Sequence, residues 1–407
     1  MDRLAVNGGK PVRTEAFPSW PIFDELEEQM VLDVVRSGKW GGTGSVISKT
    51  FSEKLPEMEK QIARLQDAAY AVSVVNGTVA ITVALQAAGV KPGDEVIVPP
   101  YTFIATATAA LAYGVIPVFA DIEEDTLLID PDKVEQAITP RTKAIIAVHI
   151  AGAPANMSRI KEIAAKHKLK VIEDAAQAVG AKWEGTGVGA IGDLGTFSFQ
   201  SSKNLNSGEG GAIVTNDKEL WERAWSICNV GRVPNGAWYQ HDRVGQNYRM
   251  TELQAALILA QMSRLDEQMR KREINARLLN ELLGGIDGIR LMNQDARITR
   301  HANHLYMFRL APELIERVAK NDFIRQVNAE GIPVSAGYVP LNANKAIIGA
   351  TREFEGEERL FACPVCERVC GEVIWLGQAA LLAEEKDIHD IASGIRKVVH
   401  ASAGSRP

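Results

Sequence analysis

The chain has 407 residues, 46% of them hydrophobic and 24% charged, with 45 basic against 51 acidic side chains and a formal net charge of -6. This length is more than one core usually serves, so two domains are expected, and the balanced composition excludes a disordered, collagen-like or membrane-spanning chain. Without a basic excess or a long single-sign run, neither nucleic acid nor an anionic membrane is an expected partner.

The opening MDRLAVNGGKPVRTEAF has no apolar signal-type segment. The four cysteines, Cys228, Cys363, Cys366 and Cys370, are too few for a disulfide framework. Both features point to a reducing cytoplasmic setting. From about residue 70 to 215, short runs rich in β-branched residues (AVSVV, EVIVP, VIPVFAD, AIIAVHI, KVIED, TFSF, AIVTN) alternate with helical patterns at 77–88, 132–137 and 157–167. Uninterrupted apolar runs suit strands buried on both faces, so the fold class is α/β with a mostly parallel sheet. Ligands of such sheets sit beyond the carboxyl ends of the strands. Thr251 and Gln254 have capping-box spacing and open a long helical stretch that ends at Gly284-Gly285 and is long enough to bridge two domains. LYMFRL at 305, a helix near 322–330, IPVS at 332 and a helix from about 384 to 399 then suit a small α+β domain. The expected division is 1–283 and 284–407.

Two motifs lead elsewhere than they first suggest. Gly187-Val188-Gly189-Ala190-Ile191-Gly192 matches a dinucleotide fingerprint, but it precedes the strand TFSF, where the fingerprint requires a helix. Cys363, Cys366 and Cys370 have no fourth local ligand, and their spacing puts three thiols on one face of a helix started by Pro364, so no metal site is expected. His149, inside an apolar run, reads as a packed or hydrogen-bonded residue.

Asp174 ends the run KVIED, and Lys203 lies just beyond TFSF. A buried carboxylate and a buried amine are costly unless a partner or a reaction needs them. A structural ion pair is one account of the two. Gly77 and Thr78 at a strand-to-helix turn offer amides and a hydroxyl to an anion, Ser198 adds another hydroxyl, and Phe103 places a ring after the strand ending near Pro99. Together these parts suit pyridoxal 5'-phosphate, which needs a lysine, a carboxylate for its ring nitrogen and a phosphate cradle.

The strings VNGTVAITVALQAAGVKPGDEVIVPPYTFIATATA, DIEEDTLLIDPDKV, VIEDAAQAVGA, GDLGTFSFQSSKNLNSGEGGAIVTND and GQNYRMTELQAAL resemble the DegT/StrS-type (DegT/DnrJ/EryC/StrS) family of pyridoxal-phosphate aminotransferases acting on keto sugars and keto cyclitols. The match covers most of residues 20 to 270. The resemblance implies the aspartate-aminotransferase-like fold type I, with a mixed seven-stranded sheet in the large domain and a small carboxyl-terminal α+β domain. It implies that Lys203 bonds the cofactor, Asp174 pairs with the ring nitrogen, Gln177 lies beside the phenolic oxygen and Phe103 stacks on the ring. Gly77, Thr78 and Ser198 match phosphate-binding positions, and Asn247 is similar to the asparagine that reaches the phosphate from the neighbouring subunit of a homodimer. The implied reaction is a ping-pong transfer from glutamate or glutamine to a keto sugar or keto cyclitol. Where many members acting on nucleotide-linked sugars have His, this chain has Gln200, which is more like the cyclitol aminotransferases and amino-hydroxybenzoate synthases. The segments at 339 and 375 also depart from a histidine that relatives often carry. Two other functions are weighed: a sugar dehydratase, in whose relatives His replaces the lysine, and a non-catalytic cofactor-binding regulator.

Overall fold

A computed structural model describes residues 3–41, 53–237 and 239–403. Its first sheet is built from the runs that the sequence marks. The strands are β1 (Tyr70–Val74), β2 (Glu95–Val98), β3 (Ile116–Phe119), β4 (Thr142–Val148), β5 (Lys170–Asp174), β8 (Leu194–Ser198) and β9 (Gly211–Thr215), in the spatial order β1-β9-β8-β5-β4-β2-β3. The interval between β5 and β8 holds the two-residue strands β6 (Lys182–Trp183) and β7 (Thr186–Gly187). Six of the seven strands run one way; β9 pairs antiparallel with both β8 and β1. The sheet is therefore mixed, and β8 and β9 form a hairpin whose long turn carries Lys203.

Among the described residues eight α-helices lead through this part: α1 (Glu25–Ser37), α2 (Lys54–Leu65), α3 (Gly77–Ala87), α4 (Ala105–Leu111), α5 (Pro131–Gln136), α6 (Met157–His167), α7 (Lys218–Cys228) and α8 (Glu252–Leu283). They cover both sheet faces, which is why β2, β3, β8 and β9 are buried along their whole length. The capping box at the start of α8 is present, with Thr251 and Gln254 bonded reciprocally. The next residue, Glu252, reaches back and accepts bonds from the backbone N–H groups of Glu53, Lys54 and Leu55, placing a carboxylate at the positive end of α2.

The first half of α8 packs Ala255, Ile258, Leu265 and Met269 on a core shared with α2, β8 and β9, and the second half packs Ala276, Leu279 and Leu283 on a second core. One helix thus joins two hydrophobic centres. The second core is built on a four-stranded sheet of β10 (Ile289–Leu291), β12 (Leu305–Leu310), β13 (Val334–Ser335) and β14 (Val373–Gly377), in the order β10-β12-β14-β13. Strand β11 (Ile298–Arg300) instead joins β6 and β7. Leu4 of the amino-terminal segment also belongs to the second core, and Val6 and Phe17 pack against it. Among the described residues no helix is long and apolar enough to cross a membrane.

Candidate active site

A cavity of about 770 Å³ opens at the carboxyl ends of β4, β5 and β8 and is closed from the other side by the end of β14. Its wall includes Gly77, Thr78, Phe103, Asp174, Gln177, Ser198 and Lys203, so seven of the eight predicted site residues come together. Asn247 does not line it; its backbone bridges to Asn229 and its side chain is exposed.

The anion end is set by α3. Asn76 caps the helix by accepting from Val79 N, and Ala80 N bonds to Asn76 O, which leaves Gly77 N and Thr78 N without an internal partner among the described residues. Two free N–H groups at a helix start, the Thr78 hydroxyl and the Ser198 hydroxyl make an anion cradle. The approach is too close for a side chain: a Cβ on Gly77 would sit 2.7 Å from Ser198 Cβ, and one on Gly211 would sit 2.7 Å from the Asn76 carbonyl carbon.

At the opposite end Asp174 is buried at the last position of β5. Thr102 and Thr106 hydroxyls are 2.9 Å apart, Thr106 Oγ1 donates to Asp174 Oδ2 at 2.8 Å, and Ala176 N donates to Oδ1 at 3.2 Å. Gln177 Oε1 accepts from Ala151 N at 2.7 Å, so its amide nitrogen is turned toward Tyr338 and donates to that hydroxyl at 2.9 Å. Phe103 is largely exposed to the cavity, tilted against Tyr338 at 6.4 Å between ring centres.

Lys203 sits in the β8–β9 turn, which is tied by Lys203 N to Gln200 O, Ser201 N to Gly208 O and Ser207 N to Phe199 O. Its amine makes no hydrogen bond or ion pair among the described residues, so the structural ion pair with Asp174 does not form. Burial pushes the Lys203 ammonium below the ordinary lysine value of 10.5, and the Asp174 charge only partly opposes this. A buried amine driven toward neutrality, a helix-end anion cradle and a buried carboxylate in one cavity fit pyridoxal phosphate on chemistry and shape alike.

The sequence reading did not assign the wall that faces Lys203. It is formed by Trp20, His304, Tyr338, Trp375 and Gln378. Asn204 donates to Ala302 O at 2.7 Å, so its Oδ1 is left to accept from His304 Nδ1 at 2.9 Å. Burial, together with the charges of Lys203 and Arg272, holds His304 well below the ordinary histidine value, and it stays neutral. The segments at 339 and 375 pointed to this wall, but no local pattern distinguished His304 from the other six histidines.

The two rejected motifs have structural explanations. The glycine-rich loop 187–192 does bind an anion: Gly189, Ile191 and Gly192 donate backbone N–H groups to the buried Glu173 carboxylate at 2.7, 2.8 and 2.6 Å. His149 Nδ1 accepts from Ala155 N, so Nε2 carries the proton it donates to Glu173 at 2.9 Å. The cysteine segment forms only the short helix Pro364–Val369, with Cys363 and Cys370 capping its ends and the Cys366 and Cys370 sulfurs 3.8 Å apart.

The mixed seven-stranded sheet with this cavity at its edge defines a pyridoxal-phosphate-dependent aminotransferase of fold type I. The family model of the DegT/DnrJ/EryC1/StrS aminotransferase family matches residues 21–396. The L-glutamine:2-deoxy-scyllo-inosose aminotransferase of Streptoalloteichus tenebrarius is 37% identical over 97% of each chain. The crystal structure of 3-amino-5-hydroxybenzoic acid synthase superposes with a TM-score of 0.85 at 34% identity, covering 96% of this chain and 100% of that one. NtdA of Bacillus subtilis, solved with bound cofactor PMP, gives 0.82 at 28% identity, covering 95% and 86%. The chain belongs to the DegT/DnrJ/EryC1/StrS aminotransferase family.

Proposed function

We propose that this chain moves an amino group from glutamine or glutamate to a keto cyclitol, or to a keto sugar, in two alternating half-reactions. The observation that carries the reading is Lys203, an amine without a protein partner among the described residues, driven toward neutrality by burial, in one cavity with Asp174 and the free amide end of α3. Bound pyridoxal phosphate supplies an aldehyde carbon for amine exchange and an electron-withdrawing ring. Gly77 N, Thr78 and Ser198 would hold its phosphate, Asp174 would hold the proton on its ring nitrogen, and Phe103 and Gln177 would flank the ring. Lys203 Nζ would hold the cofactor's aldehyde carbon, with loss of water, and once freed by the incoming amine would carry a proton between the donor's α-carbon and that former aldehyde carbon, two atoms away across the nitrogen. A neutral amine is needed for both roles, which is what burial favours.

Relatives named for scyllo-inosose chemistry and for amino-hydroxybenzoate synthesis support a ring ketone without a nucleotide. Among the described residues the charged groups on the cavity wall are Asp174, Lys203 and Glu209, which offers a diphosphate no arginine. The exposed Asn247, together with Phe23, Leu32, Val35 and Trp40 exposed on and beside α1, supports a homodimer in which Asn247 serves the neighbouring site. The division at Leu283, with residues 284–407 as a small domain, and a cytoplasmic location complete the reading. The decisive experiment is K203A. The variant is expected to lose turnover and its borohydride-fixable cofactor while still binding the cofactor reversibly; full transamination by K203A refutes the role. Light scattering on the purified protein tests the dimer.

A further inference from the structure

Beyond the cofactor, two side chains on the cavity wall have their hydrogen-bonding sense fixed by buried neighbours, and both border the same space. Strands β12 and β14 are antiparallel with Leu305 opposite Gly377, so His304 and Gln378 flank the last pair at one end of the sheet, and Arg272, bonded to Gln378, also acts on His304. Both residues are buried and both line the cavity.

Gln378 is oriented by Arg272, a fully buried arginine of α8 that lies 5.3 Å from the Trp20 ring centre. Arg272 Nε and one terminal nitrogen both donate to Gln378 Oε1, at 3.0 and 2.5 Å. A guanidinium only donates, so the amide oxygen must face it and the amide NH₂ must face away. That NH₂ has no protein partner among the described residues and is not sealed from the cavity. The Asn204 contact places the His304 proton on Nδ1 and leaves Nε2 as a bare acceptor. Burial above all, with the Arg272 charge nearby, keeps that ring neutral.

We propose that His304 and Gln378 are a matched acceptor and donor that grip one hydroxyl of the keto acceptor. A hydroxyl can donate to His304 Nε2 while accepting from Gln378 Nε2. A carboxylate or phosphate oxygen cannot donate, and would meet the histidine lone pair unfavourably. The pair thus deepens the proposed function, on which it rests, by naming the feature of the acceptor that is read: a neutral ring hydroxyl near the ketone. Trp20, Trp375 and Tyr338 supply apolar faces against which a cyclitol ring can lie.

The test uses the holoenzyme in its amine form with scyllo-inosose and a set of keto cyclitols that each lack one hydroxyl. For the native protein, one member of the set is expected to lose about tenfold or more in kcat/KM, the effect of an unpaired buried polar group. In Q378E one carboxylate oxygen keeps the Arg272 bonds and the other presents an acceptor where the donor stood. In that variant and in H304F the same deletion is expected to change kcat/KM by less than about twofold, because the hydroxyl no longer has its pair. A tenfold loss that persists in either variant, or a native enzyme indifferent to every deletion, overturns the proposal. If either variant fails to fold, the structure of the native amine form with scyllo-inosose decides instead: one hydroxyl within about 3.2 Å of both Gln378 Nε2 and His304 Nε2 supports the pair, and a ring held elsewhere overturns it. Failure to aminate any keto cyclitol, despite conversion of the cofactor by glutamine, counts against the functional reading and leaves a distinct signature from indifference to hydroxyls.

Discussion

Replacing Gly77 by Ala tests whether the start of α3 is an anion cradle or only a packed turn. The backbone there is not in the left-handed region, so the perturbation is one of space. The added Cβ would lie 2.7 Å from Ser198 Cβ, 3.2 Å from its Oγ and 3.3 Å from its Cα. Ordinary carbon contacts need about 3.5–4.0 Å, so helix and strand must part by about 1 Å. Strand β8 is held on both sides, by β5 and β9, and the first turn of α3 is the element free to move. Overpacking of this kind costs about 1–3 kcal/mol of stability. A displacement of that size also carries a free N–H beyond hydrogen-bond reach of a bound phosphate, and one charged hydrogen bond is worth about 1.5–3 kcal/mol, or about 10- to 100-fold in affinity. Titration of the cofactor-free protein with pyridoxal phosphate, followed by absorbance, reads this directly. The double change Gly77→Ala with Ser198→Gly removes the clashing Cβ and should bind the cofactor better than G77A although it has also lost the Ser198 hydroxyl. An affinity for G77A within about twofold of native would refute the cradle.

Glu173→Gln leaves one acceptor oxygen for three backbone donors and the His149 proton, and sets an amide NH₂ against N–H groups; the expected cost is about 3 kcal/mol or more in urea unfolding, and unchanged stability contradicts the account of the glycine-rich loop. Lys203 has its native value lowered, so the unfolded chain binds more protons than the native one between that lowered value and 10.5, and the stability of the cofactor-free protein should rise with pH across this window. K203M should flatten that rise in a pH series of denaturant melts; an equal slope in both proteins speaks against a desolvated native amine. The Tyr338 hydroxyl is pushed up to about 12, chiefly by burial, so Tyr338→Phe removes a hydrogen-bond acceptor and not a charge. Freeing the Gln177 amide this way should weaken cofactor binding by about fivefold, near 1 kcal/mol, with little change in the pH profile, and an unaltered titration curve rejects a link between Gln177 and the cofactor.

The strands of the large sheet were legible because a strand buried on both faces must be apolar throughout, and that is a local property of the chain; the run KVIED coincides with β5 and LYMFRL with β12. Asp174 and Lys203 were legible for a related reason. Each stands just past such a run, where a charged group is conspicuous and where open α/β sheets keep their ligands. Their environments were not legible: composition cannot tell an ion pair from two charges facing one cavity, and only the fold shows Lys203 without a partner among the described residues and Asp174 held by Thr106. Nor could spacing show that the glycine-rich loop wraps the neighbouring Glu173, because that contact depends on where the loop returns in space.

The amino-acid order by itself marked the strands of the large sheet, several of the helices between them and the long helix α8, and which carboxylate and amine stand at the strand ends, since hydrophobic pattern and capping act over a few residues. The tertiary structure alone decided the wall opposite Lys203. The pairing of β12 with β14 brings the chain at His304 and at Gln378 to one cavity, and Arg272 reaches Gln378 from a helix about a hundred residues earlier in the chain. Which way an amide or an imidazole points is set by such distant partners, through donor and acceptor matching that has no trace in local sequence.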